Sequence, residues 1–416
     1  MKRITFLALI IACLASFTLF ASADWLQFRG PGGLGIAADK DTPVAWSNET
    51  GIAWKYAMPG AGGSCPIVVG DKVLVTCYSG YGVDKNEPGD QKNLSRHLLC
   101  LERKTGKLLW RADFPAPLPD TNYGGFQAYH GYASNTPVSD GKLVWLFLGK
   151  GGVYCYDLDG KEKWHVNVGS GTHGWGSGTS PVLHKDLVIV NASVESNSLI
   201  ALDKTSGKEV WKTKGMSESW NTPVLMKLAN GTIELAVAAR HKMLGFDPDT
   251  GRELWNADTY NWYVCPSIVG HDGVFYGLQH TICVAVKAGG RGDVTESHVL
   301  WKKNVGAVVS SPLFHEGHLY WAANGSAHCI KASDGSTAYK ERLKSGGDFY
   351  ASPVLADGKL YYVSRTDGAY VVAAAPKFDM LAHNTLDKSI FNANPAVSNS
   401  QLFLRSDRFL YCIGKK

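Results

Sequence analysis

Thr179–Trp211 reads T-S-P-V-L-H-K-D-L-V-I-V-N-A-S-V-E-S-N-S-L-I-A-L-D-K-T-S-G-K-E-V-W. Pro181 opens a first strand, where a missing backbone N–H does least harm. Lys185-Asp186 makes a tight polar turn into the apolar run Leu187–Val190, and a second polar turn at Glu195–Ser198 leads to Leu199–Leu202. Asp203 and Thr205-Ser206-Gly207 then turn the chain toward Trp211, because Asp and Ser side chains bond the backbone and Gly accepts positive φ. Four strands and three turns in about forty residues is the size of one propeller blade.

The unit recurs. A small or polar residue, Pro and an apolar run appear at Pro66, Pro137, Pro181, Pro223, Pro266, Pro312, Pro353 and Pro395, with steps of 44, 42, 43, 46, 41 and 42 residues from Pro137 onward. An aromatic closes most units, at Trp110, Trp164, Trp211, Trp255, Trp301 and Tyr339. An acid sits upstream of it in Glu102/Trp110, Asp157/Trp164, Asp203/Trp211 and Asp247/Trp255. Hairpins packed side by side share one core, which predicts a toroid rather than an open array.

The ends complete the count. The last unit, Pro395–Cys412, supplies three strands and no tryptophan, while Ile52–Tyr56 around Trp54 precedes the first Pro and has no blade of its own. Joining the two gives eight four-stranded antiparallel blades, closed by an N-terminal strand, and leaves no exposed edge at the seam. The predicted fold is an all-β, eight-bladed β-propeller spanning residues 24–416 as one domain.

The segments N-T-P-V-S-D-G-K-L-V-W (Asn135–Trp145), A-S-P-V-L-A-D-G-K-L-Y-Y (Ala351–Tyr362) and F-D-P-D-T-G-R-E-L-W (Phe246–Trp255) resemble the pyrroloquinoline-quinone (PQQ) type β-propeller repeat. The opening D-W-L-Q-F-R-G-P (Asp24–Pro31) is similar to the start of many secreted bacterial proteins of that group. The resemblance covers nearly all of residues 24–416 and is specific for fold. It implies either a BamB-like, non-enzymatic scaffold of outer-membrane protein assembly or a PQQ-dependent dehydrogenase.

Residues 1–23 combine basic Lys2-Arg3, a continuous apolar run and Ala21-Ser22-Ala23, the pattern of a secretory signal with its cleavage site. Ile10-Ile11-Ala12-Cys13 resembles a lipobox, so a lipid on Cys13 stays open as the alternative. The expected location is periplasmic or secreted, with no transmembrane segment after cleavage. The chain carries 42 Lys and Arg against 37 Asp and Glu, and loss of Lys2 and Arg3 leaves 40 against 37, a balance of +3. That excludes a strongly basic nucleic-acid surface. A monomer is expected.

Cys100, Cys155, Cys329 and Cys412 fall at one site of the repeat, filled elsewhere by Ala201, Gly245 and Ala285, which marks a small-residue core slot. Equivalent sites in different blades are too far apart to bridge, and Cys65 and Cys265 belong to opposite sides of the ring. No disulfide framework is therefore expected. No C-x-x-C spacing occurs, and no metal site is predicted. The acidic turns Asp157–Gly160 and Asp247–Gly251 resemble calcium loops but lack the terminal bidentate Glu, and read as the third turn of a blade.

The two long insertions, Ser79–Arg96 and Pro115–Ser134, map to one face, that of the inter-blade loops and second-to-third turns. The same face gathers Tyr129, His130, His173, Trp175, Trp220, Trp262 and Tyr350, with Arg240, His241, His280 and Arg365. These eleven are the candidate ligand-binding residues. Rings suit stacking on a planar ligand or a sugar, and Arg240 or Arg365 suits a carboxylate. The opposite-face turns, such as Gly70-Asp71 and Asp357-Gly358, are plain.

No nucleophile–base pair, phosphate loop or metal motif is visible, so no catalytic residue is named. The reading is a non-catalytic binding or scaffold propeller of the cell envelope, taking a small molecule, peptide or envelope protein, with no cofactor. Two alternatives remain. In the first, a quinoprotein dehydrogenase, PQQ and Ca²⁺ would occupy the funnel, but no adjacent cysteines or Glu/Asn/Asp calcium set can be assigned. The second is a carbohydrate-binding or carbohydrate-processing propeller, suggested by the aromatic rim.

Overall fold

In a computed structural model, residues 24–343 and 347–415 are described; the expected signal sequence and the Cys13 lipobox lie outside them. Eight sheets are present among the described residues, each with four antiparallel strands at its heart. Blade 1 is Ile67–Val69, Lys72–Ser79, Ser95–Glu102 and Leu108–Pro115. Blades 2 to 7 start at Val138–Ser139, Val182–His184, Val224–Lys227, Val269–His271, Leu313–His315 and Val354–Ala356. Blade 8 is Ala396–Ser398, Gln401–Arg405 and Phe409–Ile413, completed by Ile52–Ala57 from the other end of the chain. Trp54 pairs with Cys412 in that seam, so the two ends share a blade as the sequence requires.

The register explains the small-residue slot. Cys100, Cys155, Ala201, Gly245, Ala285, Cys329 and Cys412 stand opposite Trp110, Trp164, Trp211, Trp255, Trp301, Tyr339 and Trp54 respectively. A large ring needs a small partner across the strand pair. Blade 7 departs, with Val371 facing Ala382 and no tryptophan. All eight described cysteines are free thiols.

Five of the closing tryptophans also fasten their blade to the next. The indole N–H of Trp54 donates to Arg103 O at 2.7 Å, of Trp110 to Leu158 O at 2.9 Å, and of Trp164 to Lys204 O at 2.9 Å. Trp211 and Trp301 repeat this at Pro248 O and Ala332 O. The ring lies flat under the third turn. A Cβ on Gly106 would meet the Trp54 ring at 2.5 Å, and its φ of +71° is glycine's region, so only glycine fits there. The apolar cores accordingly lie between neighbouring sheets, as where Trp145 and Val153 of blade 2 pack with Val188 and Ile200 of blade 3.

Around the channel runs a belt of hydrogen bonds from blade to blade. The backbone N–H groups of Cys65, Thr136, Ser180, Thr222, Ser267 and Ser311 donate to the hydroxyls of Thr136, Ser180, Thr222, Ser267, Ser311 and Ser352, all at 2.9–3.0 Å. Ser352 N–H donates to Asn394 Oδ1 at 2.9 Å, and the Asn394 N–H turns to the Cys65 thiol, closing the circle. The belt corrects the sequence register in blade 5. Ser267-Ile268, not Cys265-Pro266, occupies the belt position, so Pro266 lies two residues early.

A second correction concerns insertions. A third one, Ala288–His298, lengthens the third turn of blade 5 on the plain face and lays Gly292–Asp293 parallel to Glu253–Asp258 as a fifth strand of blade 4. The usual docking turn is thereby displaced, and Trp255 donates instead to the buried Glu234 carboxylate at 2.8 Å.

The stretch before the first blade forms a strap over that plain, lower face. Trp25 pairs with Val68 of blade 1, Leu26 O accepts from Ser139 N–H of blade 2, and Gly35 and Ala37 bond Leu355 of blade 7. Gly30 sits on the Trp25 ring, where a Cβ would come within 2.5 Å, at φ +63°. The segment D-W-L-Q-F-R-G-P therefore plugs the ring from below.

Candidate functional site

The inter-blade loops surround a chamber of about 150 Å³ at the upper mouth of the channel. Its floor is Phe28 of the strap, and belt residues such as Thr222, Ser267 and Ser352 form its lower wall. Above them stand rings from loops of different blades: Phe126 and His130, Trp175, Trp220, Tyr263 and Tyr350. The lining, mostly rings with a few hydroxyls and amides, is that of a small-molecule site.

Trp175 is the hub of these rings. Its centroid lies 4.4 Å from Tyr263, 4.8 Å from Phe126 and 4.9 Å from Trp220. Edge-to-face contacts of this kind hold rings in place. The Trp220 indole N–H donates to Gly176 O at 2.9 Å, which fixes that ring as well. His173 packs on the outside of Trp220 at 4.8 Å and does not line the chamber.

His130 is locked between two partners. Nε2 is 2.8 Å from Trp175 O, which only accepts, so Nε2 carries the proton. Nδ1, 2.7 Å from Ser134 Oγ, then accepts from the hydroxyl. Burial, with a contribution from Arg365, holds the imidazole below its ordinary pKa despite the Trp175 carbonyl. A neutral ring with both nitrogens engaged is a wall, not a general base.

Arg365 marks the rim. Its guanidinium lies over Tyr350 at 4.4 Å and Tyr129 at 5.1 Å, while Nε donates to Asn392 Oδ1 at 2.9 Å and Nη2 to Tyr129 O at 3.2 Å. Asn392 Nδ2 also donates to Tyr129 O, at 2.8 Å. The loop after blade 1 therefore reaches across the mouth to the loops before blades 7 and 8.

Of the eleven candidates, His130, Trp175, Trp220 and Tyr350 line the chamber, Tyr129 and Arg365 edge it, and His173 backs it. The other four are elsewhere. Arg240 pairs with Glu218 at 3.1 Å and touches His241, His280 is exposed, and Trp262 is 65% exposed. They belong to an outer rim beside blades 4 and 5. Three more aromatics of this face have structural work: Tyr78, Tyr81 and Tyr132, with Leu94, form a small core that joins the two upper insertions. A buried Arg96–Asp120 ion pair at 2.6 Å seals it.

Sequence reasoning missed Phe28, Asn392, Asn394 and the channel thiols Cys65 and Cys265. The residue before each Pro faces the channel, and that was the available signal for Cys65 and Asn394. Burial pushes the Cys65 thiol up to about 11 and the Cys265 thiol up to about 12, so neither is a thiolate near neutrality. Asn394 Nδ2 is buried without a partner in the chamber wall, a donor left for an incoming acceptor.

The family profile described as "Outer membrane protein assembly factor BamB" matches residues 94–262. The fold is similar to BamB from Moraxella catarrhalis, with a TM-score of 0.63 at 13% identity over 88% of this chain and 97% of that one. It is also similar to quinohemoprotein alcohol dehydrogenase from Comamonas testosteroni, with a TM-score of 0.66 at 12% identity over 95% and 81%. The computationally designed Ika8 protein gives 0.62 at 11% identity over 86% and 98%. No curated protein matches the chain significantly by sequence. In fold, then, the chain is a PQQ-type β-propeller. Within it, residues 94–262 are the part that is similar to the BamB profile.

Proposed function

We propose that this chain is an exported, non-catalytic binding propeller of the cell envelope, whose upper chamber receives a small molecule or the side chains of a peptide or protein partner. One observation carries the reading: fixed aromatic rings from separate blades converge on a chamber that retains an unpartnered donor, Asn394 Nδ2. A flat apolar group with one hydrogen-bond acceptor complements it. The matched family's name, with its assembly factor of the outer membrane, supports a protein partner and an envelope location. No helix among the described residues is long and apolar enough to cross a membrane.

The dehydrogenase likeness raises PQQ with Ca²⁺, and the chamber does not fit that pair. Its lining holds rings, hydroxyls, two separate thiols and two asparagines, but no carboxylate for a cation. The aromatic rim leaves a carbohydrate ligand as the second reading. A random peptide display library and a glycan array, both probed with the purified protein, separate the two. Peptide binding that is lost in Trp175→Ala supports the proposal. Glycan binding lost in the same variant moves it to carbohydrate, and dye-coupled alcohol oxidation on addition of PQQ and Ca²⁺ overturns it.

A further inference from the structure

In blade 1 the strand register brings together three residues that lie 18 and 16 positions apart in the chain: Ser79, His97 and Asp113. His97 stands directly opposite Cys77 of the second strand and Asp113 of the fourth, and Ser79 follows Cys77 by two. Opposed residues, and residues two apart on one strand, share a face of a sheet, so the three side chains form one row across it. The sequence shows no nucleophile–base pair because only strand pairing creates this one. The row lies at the upper end of blade 1, where Ser79 opens the first long insertion, and none of its members lines the aromatic chamber.

His97 Nδ1 is 2.6 Å from Asp113 Oδ1, and a carboxylate only accepts, so Nδ1 carries the proton. Nε2, 2.7 Å from Ser79 Oγ, then accepts from the serine hydroxyl. Arg111 Nε donates to the same Asp113 oxygen at 2.5 Å. Burial, aided by the charge of Arg111, keeps His97 below its ordinary pKa against the pull of Asp113, so the ring is a neutral base at neutral pH. Burial raises the Asp113 carboxyl, but hydrogen bonds from Arg111 and His97 outweigh it and hold the group below the usual carboxylate range. Cys77, beside the row, is a thiol pushed up to about 11 by burial and stays neutral. His130 beside Ser134 differs, because its proton goes to a carbonyl, which gives an imidazolium no counter-charge. Ser79 is half-buried, Gly80 after it is exposed, and the Asp113 side chain is 53% exposed, so solutes reach the row from the rim. A side chain on Gly60 would run into the Tyr78 backbone and come within 3.4 Å of Ser79 Cβ, so bare backbone passes the serine there.

We infer that Ser79, His97 and Asp113 are a nucleophile, its general base and the carboxylate that orients the base, and that they hydrolyse carboxylic esters presented at the upper rim of blade 1. Ser79 Oγ bonds the carbonyl carbon as its proton passes to His97 Nε2. The bond to the leaving alcohol breaks, and that oxygen takes the proton from Nε2. Water then repeats the exchange on the acyl-serine, which releases the carboxylic acid and restores Ser79. Asp113 accepts from Nδ1–H throughout and offsets the charge of the imidazolium. This activity is additional to the chamber, whose binding remains non-catalytic and uses none of the three.

The test treats the purified protein with a fluorophosphonate, which phosphonylates a serine nucleophile with loss of fluoride, and separately with p-nitrophenyl acetate. The expected result is an adduct that peptide mapping places on Ser79, and saturable, continuing release of nitrophenol. Ser79→Ala should abolish both, while His97→Gln and Asp113→Asn should slow both by about a hundredfold or more. Labelling should rise with pH and level off below the ordinary imidazole value of about 6.5. Melting curves establish that each variant is folded; should His97→Gln not be, Asp113→Asn, at an exposed side chain, decides. No adduct on Ser79, an adduct formed as fast in Asp113→Asn, or an adduct without ester turnover contradicts the inference.

Discussion

The two mouths of one channel have opposite fates. Both are framed by the same eight inner strands and the same hydrogen-bonded belt. At the lower mouth the first turns are short, as at Gly70-Asp71 and Lys185-Asp186, and the Trp25–Ala37 strap lies across them. At the upper mouth the loops between blades are long and carry rings that hold one another apart around Trp175. A regular scaffold thus supplies the walls, and irregular segments decide whether an end is sealed or left as a receptor. That division is how rigid repeats usually carry binding sites.

The division presumes a closed ring, and the seam at Trp54 is where it breaks most easily. Trp54→Ala removes a buried ring and its bond to Arg103 O, and should cost about 3–5 kcal/mol in urea denaturation. Both mouths should fail together, with ligand binding and protease resistance lost at the same denaturant concentration. Gly30→Ala strikes only the lower mouth. With the Trp25 ring 2.5 Å from the new Cβ and φ at +63°, a loss of about 2–4 kcal/mol is expected, read as early proteolysis of the strap.

A smaller effect belongs to the upper face. Glu195, in the second-to-third turn of blade 3, is 5% exposed, and burial raises it to about 7 against the weaker opposing pull of its own backbone N–H and the Ser177 hydroxyl. With the folded value above the unfolded one, near 4.5, the folded state binds the extra proton, so stability falls as pH rises between them. Glu195→Gln should remove that dependence. Its melting temperature should exceed the parent's at pH 8 by more than at pH 5, with a gain of up to about 3 kcal/mol.

How much of this contrast was legible differs by region. The blades were, because Pro, turn and tryptophan recur in phase and each serves a local need: a ring opposite Cys100 or Ala201, a glycine such as Gly106 beneath an indole. The strap was not. Asp24–Pro31 has no periodicity of its own, and its contacts with Val68, Ser139 and Leu355 are set by ring closure. Pro266 misled because it stands two residues before the position that proline fills in the other blades, which the belt hydroxyl at Ser267 fixes. The upper rings were visible as a class. Separating Trp175 from Trp262 required knowing which loops lean inward.

That last pair gives the smallest effect on folding and the most direct trial of the account. Trp262 is 65% exposed and stands off the chamber, so Trp262→Ala should shift stability by less than about 0.5 kcal/mol. The decisive measurement is the affinity of a selected peptide ligand, by calorimetry, for Trp175→Ala and Trp262→Ala side by side with their melting curves. Binding weakened by about tenfold or more in Trp175→Ala and unchanged in Trp262→Ala, with both proteins folded, is the expected result. Unchanged binding in Trp175→Ala together with loss in Trp262→Ala would place the receptor on the outer rim and contradict it.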